Sequence, residues 1–197
     1  MILVGAALLL IVVVMDFGLI VSELGYQVAR IGSAVTGSEQ VILSEQPQTD
    51  VPLGPDELRI RVIDVRAPIV YIGDTEEATF IDALHHGVVH YPETALPGEP
   101  GNVFIFGHSS DWIGVDDPYR NVFALLPHLA VGDEIEITDA AGEVFVYIVT
   151  KTFIVSPTDL RVLDQGDGNQ SLLTLQTSYP FGTALARYIV RAELEKP

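Results

Sequence analysis

From Leu58 onward, apolar positions recur with a period of two. In LRIRV, Leu58, Ile60 and Val62 alternate with Arg59 and Arg61, which predicts a half-buried strand. APIVYI (67–72) predicts a second strand, and the short apolar run NVFIFGH (102–108) a third, fully buried one. DEIEIT and EVFVYIVTKTFIV flank Asp139-Ala140-Ala141-Gly142, the pattern of a hairpin. SLLTLQTS (171–178) and ARYIVRAEL (186–194) predict the last two strands. Two segments break the period. TEEATFIDALHHG (75–87) predicts a helix capped by Thr75, with acids in its first turn and Gly87 as its stop. YRNVFALLPHL (119–129) predicts at most a short helix, interrupted at Pro127. Strands dominate and helices do not alternate with them, so a doubly wound α/β fold is excluded. The pattern predicts an all-β domain of about seven or eight strands with one or two short helices. A closed barrel is the natural solution, because closure hides the sheet edges.

Ahead of the alternating region the pattern is different. Residues 1–15 are apolar or glycine throughout, and after Asp16 the run resumes to about Ser22. A bilayer core takes about 20 apolar residues in a helix, so residues 1–22 predict a transmembrane anchor. A carboxylate is costly in a membrane, and Asp16 lies towards the end of the run, where it can reach the interface. A cleaved signal peptide fits less well, since a basic n-region and a clear small-residue cleavage site are missing. A buried core helix is the third reading. Residues 23–57, rich in polar residues, proline and glycine, predict a stalk or linker, and 58–197 the folded domain.

Composition sharpens this picture. The chain of 197 residues has 10 Lys+Arg against 27 Asp+Glu, a formal charge of −17. Nucleic acid is therefore not an expected partner, because binding it requires neutralising phosphates. All acidic residues but Asp16 lie outside the apolar run, which suits a domain facing away from anionic lipid. The sequence contains no cysteine, which removes disulfides, thiolate metal ligands and a thiol nucleophile.

The motifs HExxH, GxSxG and the Walker A loop are absent from the sequence. GDGNQS (166–171) lacks the third glycine and the strand-then-helix setting of a phosphate loop. His85, His86 and His90 crowd together, and read as a solvated helix end rather than a metal site. Asp159, Asp164 and Asp167 offer a calcium ion fewer oxygens than the six to eight it takes. No cofactor is expected, with calcium as the outside alternative. The remaining polar candidates sit at strand ends. His108 closes the run NVFIFG, Ser178 closes SLLTLQT, and Arg187 opens the last strand. A histidine beside a hydroxyl is the pattern of nucleophile and base, and an arginine nearby can stabilise an oxyanion. Each residue also has an ordinary reading as a strand-end or surface group.

Three segments resemble the sortase family. GVVHYPETALPGEPGNVFIFGHSS (87–110) looks like the stretch that ends in that family's catalytic histidine. YRNVFALLPHLAVGDEIEI (119–137) resembles its F-x-x-L and G-D segment. LLTLQTSYPFGTALARYIV (172–190) is similar to its T-L-x-T-C motif with the arginine beyond. The resemblance runs from about Leu58 to Leu194, and an N-terminal anchor and stalk suit it. It implies a membrane-tethered transpeptidase on the outer side of the cell membrane. It implies as partners proteins bearing an LPXTG-like sorting signal, and as acceptor a cell-wall precursor amine or a pilin lysine. By matching position His108 becomes the catalytic histidine and Arg187 the catalytic arginine, with Arg191 on the same strand face as the weaker candidate.

Ser178 stands where that family has its cysteine. A free thiol titrates near 8.5, so its surroundings can bring out the thiolate, whereas a serine hydroxyl needs a neutral base. Asp111, three residues after His108, is the carboxylate nearest in sequence that could orient that base. Three readings of Ser178 stand: an engineered replacement that traps substrate, a natural residue of a module that binds sorting signals without cleaving them, and the nucleophile of a serine enzyme. Residues 36–57 hold no Asp-Pro-aromatic lid motif of the pilus-assembling kind, and DDPY (116–119) follows the histidine. The connection between IVSPTDL and SLLTL has no room for an extra helix. These features point to a housekeeping or related simple class.

Overall fold

The computed structural model describes residues 51–110 and 117–195. The expected anchor at 1–22, most of the stalk, and Asp111 lie outside the described residues. Among the described residues, no helix is long and apolar enough to cross a membrane.

Among the described residues, eight strands form the domain: β1 (Glu57–Ile60), β2 (Val65–Tyr71), β3 (Val88–His90), β4 (Gly101–Phe106), β5 (Glu134–Thr138), β6 (Val144–Val155), β7 (Ser171–Tyr179) and β8 (Ala186–Leu194). They close into a barrel in the order β1-β2-β3-β4-β7-β8-β6-β5, with β5 returning to β1. Two pairings are parallel, β2 with β3 and β4 with β7. The second puts the ends of two chain-distant strands side by side at one rim.

The interior follows from strand alternation. Leu58, Ile60, Ala67, Val103, Ile105, Ile135, Ile137, Tyr147, Val149, Leu173, Leu175, Val190 and Ala192 are buried. Register links them across the sheet as Val103 with Leu173, Leu173 with Ala192, and Val149 with Ala192. Side chains of opposite parity form a second layer on the outer face. There Phe104, Ile189 and Val162 are buried together, flanked by Tyr91, Phe106, Phe153, Val155 and Leu163. Val162 arrives on a 3₁₀ turn, Leu160–Leu163, that lies over this face. Gln165 staples the turn down: its Oε1 accepts from the N–H groups of Ala95 and Asn102, each at 3.1 Å, and its Nε2 donates to the carbonyls of Asn102 and Leu163.

Four local expectations are corrected. The helix, α1, is Glu77–Leu84, and Glu76 rather than Thr75 is its N-cap. The Asp74 carboxylate accepts the Glu76 N–H at 3.0 Å just ahead of the helix, and Glu76 itself makes no side-chain cap bond. LRIRV stays extended only to Ile60, then enters a 3₁₀ turn over Arg61–Ile63 that ends at Asp64 with φ 52°. Val62 is exposed as a result. Pro127 does not interrupt a helix but sits inside a 3₁₀ turn, Leu126–His128, because an early helical position needs no N–H donor. β3 was not foreseen; its Val88, Val89 and His90 are all buried and show no alternation.

Candidate functional site

Three strands supply the site. In the antiparallel pair β7–β8, Ser178 lies directly opposite Arg187. Opposed residues on such a pair have Cβ atoms about 4.5–5.5 Å apart on the same face. On the other side of β7 the parallel register runs Phe104 with Thr174 and Phe106 with Gln176. The Gly107 N–H continues the ladder to the Gln176 carbonyl at 3.1 Å, and the Thr177 hydroxyl donates to the Gly107 carbonyl at 3.0 Å. His108 follows directly, as the chain leaves β4 at the rim where β7 ends. Neighbouring strands are about 4.8 Å apart, so Ser178 and Arg187 sit on adjacent strands, with His108 two residues past the end of β4 beside them.

The backbone of His108 is gripped from outside the sheet. Its carbonyl accepts the Phe123 N–H at 2.9 Å. This requires close approach at Gly107, where an added Cβ would stand 2.7 Å from the Phe123 ring. His108, Ser178 and Arg187 are all half-buried. Phe106 extends the face beneath them, and Phe80 of α1 packs edge-on against it at 5.3 Å.

The two candidate arginines differ in what they touch. Arg191 donates through Nε to the Thr174 hydroxyl at 3.2 Å and through Nη2 to the Val162 carbonyl at 3.1 Å. Thr174 in turn donates to Asn102 Oδ1 at 2.7 Å, and Asn102 reaches the same Val162 carbonyl. Arg191 is thus built into a buried network that holds the 3₁₀ turn. Among the described residues, Arg187 donates only to nearby carbonyls, those of Ala184 at 3.3 Å and Ala186 at 3.0 Å. Burial pulls both guanidiniums below their ordinary value, yet they remain charged.

A further pair flanks the histidine. His85, at the C-terminal end of α1, meets Asp117 with Nδ1···Oδ2 2.9 Å. The Asp117 side chain is 1% exposed and that of His85 is 38% exposed. The other Asp117 oxygen accepts the Tyr119 N–H at 2.7 Å. The His85 and His108 rings are 6.4 Å apart between centroids. Sequence alone gave no reason to join His85 to Asp117, since the two are 32 positions apart. Asp111, the acid nearest His108 in sequence, lies outside the described residues.

Among the described residues no group of three or more histidines and carboxylates gathers to hold an ion. Asp159 binds Arg161, and Asp164 and Asp167 accept the N–H groups of Gly166 and Asn169 in their own turns. His90 is held apart from His85 and His86, with Nε2 2.9 Å from the Ala95 carbonyl.

The family model described as a sortase domain matches residues 58–195. This chain belongs to the sortase family. It is 32% identical over 136 residues to sortase D of Bacillus subtilis (strain 168), a match covering 68% of this chain and 60% of that relative. Among solved structures it is similar to a Clostridium perfringens sortase D5 transpeptidase, with 34% identity and a TM-score of 0.57 over 71% of this chain and 78% of the other. It is also similar to sortase A from Corynebacterium diphtheriae, with 30% identity and a TM-score of 0.59 over 72% of this chain and 60% of the other. The sortase fold expected from the sequence is therefore present, in a chain whose sequence has no cysteine.

Proposed function

We propose that this sortase is a transpeptidase that cleaves an LPXTG-like sorting signal and joins the protein carrying it to a cell-wall or pilin amine. Residues 1–22 anchor it, and the barrel works on the outer side of the cell membrane. The observation that supports this most is the pairing of Ser178 with Arg187 across β7–β8, next to the end of β4 from which His108 follows, in the family's own fold. Ser178 holds the nucleophile position. With a hydroxyl there, His108 acts as a neutral base: it takes the Ser178 proton as Oγ attacks the signal's threonine carbonyl. It then gives that proton to the leaving amine. Arg187 faces the carbonyl oxygen as it gains charge. An acyl ester on Ser178 results, and an acceptor amine resolves it.

The second reading is a non-catalytic module that binds sorting signals, and Ser178 itself favours it. A serine hydroxyl cannot form the thiolate–imidazolium pair available to a cysteine near neutral pH.

The test is cleavage and amine transfer of an LPXTG-type peptide by the full chain, with the native residue and Ser178→Cys side by side. Turnover by both forms establishes a serine transpeptidase. Turnover by Ser178→Cys alone shows a competent site blocked at its nucleophile and favours the binding module. Silence from both, with the protein folded, refutes the transpeptidase reading.

A further inference from the structure

Two imidazoles border this site, and the proposed reaction as written uses one. Resolution of an acyl ester by an amine has a proton balance that one histidine does not complete. The acceptor arrives near neutral pH as an ammonium ion. It must lose one proton to become a nucleophile and a second as the amide forms. Cleavage of the ester bond to Ser178 Oγ consumes one of them, delivered through His108. The other needs an acceptor with access to water.

The geometry around His85 suits that acceptor. The buried Asp117 carboxylate, on Nδ1 at 2.9 Å, fixes the ring so that Nδ1 carries hydrogen and Nε2 is left to accept. Asp117 is itself immobilised by the Tyr119 N–H on its other oxygen. The carboxylate also stabilises the imidazolium formed when Nε2 takes a proton. The 6.4 Å between the His85 and His108 centroids is too wide for the rings to share one N–H···N hydrogen bond, and it leaves room for a single hydrogen-bonding atom between them. An amine nitrogen bound beside His108 lies one ring away from His85, and the exposure of His85 lets the proton pass on to solvent.

We infer that His85, held by Asp117, is the second proton acceptor of this site and deprotonates the incoming amine before it attacks the acyl-enzyme. The inference rests on the transpeptidase reading above. In the full step the amine nitrogen forms the amide bond and the Ser178 ester bond breaks. One amine proton reaches Ser178 Oγ through His108, and the other reaches water through His85.

The experiment separates acylation from resolution. Acyl-enzyme formation from an LPXTG-type peptide is followed by intact mass, and kcat/KM for an added amine is followed by product formation. Both use the full chain, in whichever of the Ser178 or Ser178→Cys forms turns over. His85→Gln is expected to lower the amine term by about 10²-fold, the usual scale for a lost general base, while acylation falls less than about threefold. Asp117→Asn, which favours the wrong tautomer, is expected to show the same selectivity. Added imidazole should restore amine transfer to His85→Ala. A fall in both terms together, with a lower melting temperature and no rescue, means a structural tie and overturns the inference. An unchanged amine term overturns it as well. If neither form acylates, the transpeptidase reading fails and takes the inference with it, whereas normal acylation with an unaffected amine step removes the inference alone.

Discussion

Arg187 and Arg191 share a strand face four residues apart, and their surroundings assign them opposite costs. Replacing Arg191 with alanine removes two charge-assisted hydrogen bonds, to Thr174 Oγ1 and the Val162 carbonyl. Such bonds are worth about 1.5–3 kcal/mol each. Neither acceptor is left bare: Val162 keeps the Asn102 side-chain amide, and Thr174 still donates to Asn102 Oδ1. The loss therefore falls at the low end of the sum, about 3–4 kcal/mol. For a chain of this size that lowers the melting temperature by roughly 6–16 °C. Arg187→Ala removes bonds to the carbonyls of Ala184 and Ala186 on the adjoining turn, which water can replace. Its stability cost should stay under about 1 kcal/mol. Its functional cost, as a lost oxyanion donor, should be about 10²–10³-fold in turnover.

Denaturant unfolding of both variants, with peptide turnover in the form that acylates, measures the two effects together. The expected result is a double dissociation, with Arg191→Ala destabilised but competent once folded and Arg187→Ala stable but slow. A stable Arg191→Ala that loses turnover about 100-fold, beside an active Arg187→Ala, would reverse the assignment and refute the reasoning from partners.

Two further outcomes follow from buried polar groups. Gln165→Ala should cost about 2–4 kcal/mol in urea unfolding, because it strips partners from four half-buried backbone groups at once; a change below about 1 kcal/mol would mean that water replaces the amide. Burial holds His90 below the ordinary histidine value, so the unfolded chain takes up that proton first. Its contribution to stability is complete above about pH 6.5 and is lost as pH falls towards the folded value. His90→Gln should flatten the acid limb of a stability–pH curve, and an unchanged limb would remove His90 as its source.

What could be read from the sequence depended on whether a residue's partner is local or periodic. β7 and β8 were legible because Leu173, Leu175 and Thr177 alternate with polar neighbours and match a similar alternation in β8. β3 was not, since three buried residues beside a parallel partner show no alternation. His108, Ser178 and Arg187 could be named from their strand ends and motif positions. Their position at one rim depends on β4 pairing with β7 across some 70 residues, which no local pattern announces. The choice between Arg187 and Arg191 was open for the same reason. It turns on Thr174 and Val162, which reach Arg191 only once the barrel has closed.

The serine then poses a question that Arg187 helps to frame. Arg187 is half-buried, and among the described residues its hydrogen bonds go to two neutral carbonyls and to no carboxylate. Withdrawing a guanidinium from water without a counter-charge is unfavourable, and these two bonds offset it only in part. A side chain kept for stability alone would more naturally be placed as Arg191 is, inside a network. An anionic or strongly polarised oxygen at the rim would compensate Arg187, and both functional readings supply one: a bound signal carbonyl or a developing oxyanion. In either proposed reading Arg187 meets such an oxygen at this rim. The choice between the readings belongs to the proton path. A half-exposed imidazole held in one tautomer by a buried carboxylate beside His108 suits either a proton transfer or a structural tie between α1 and the chain around Tyr119. The two differ in the amine step. A selective loss of that step in His85→Gln means chemistry at this rim, whereas a loss of stability alone leaves the pair as a tie and the serine as the mark of a binding module.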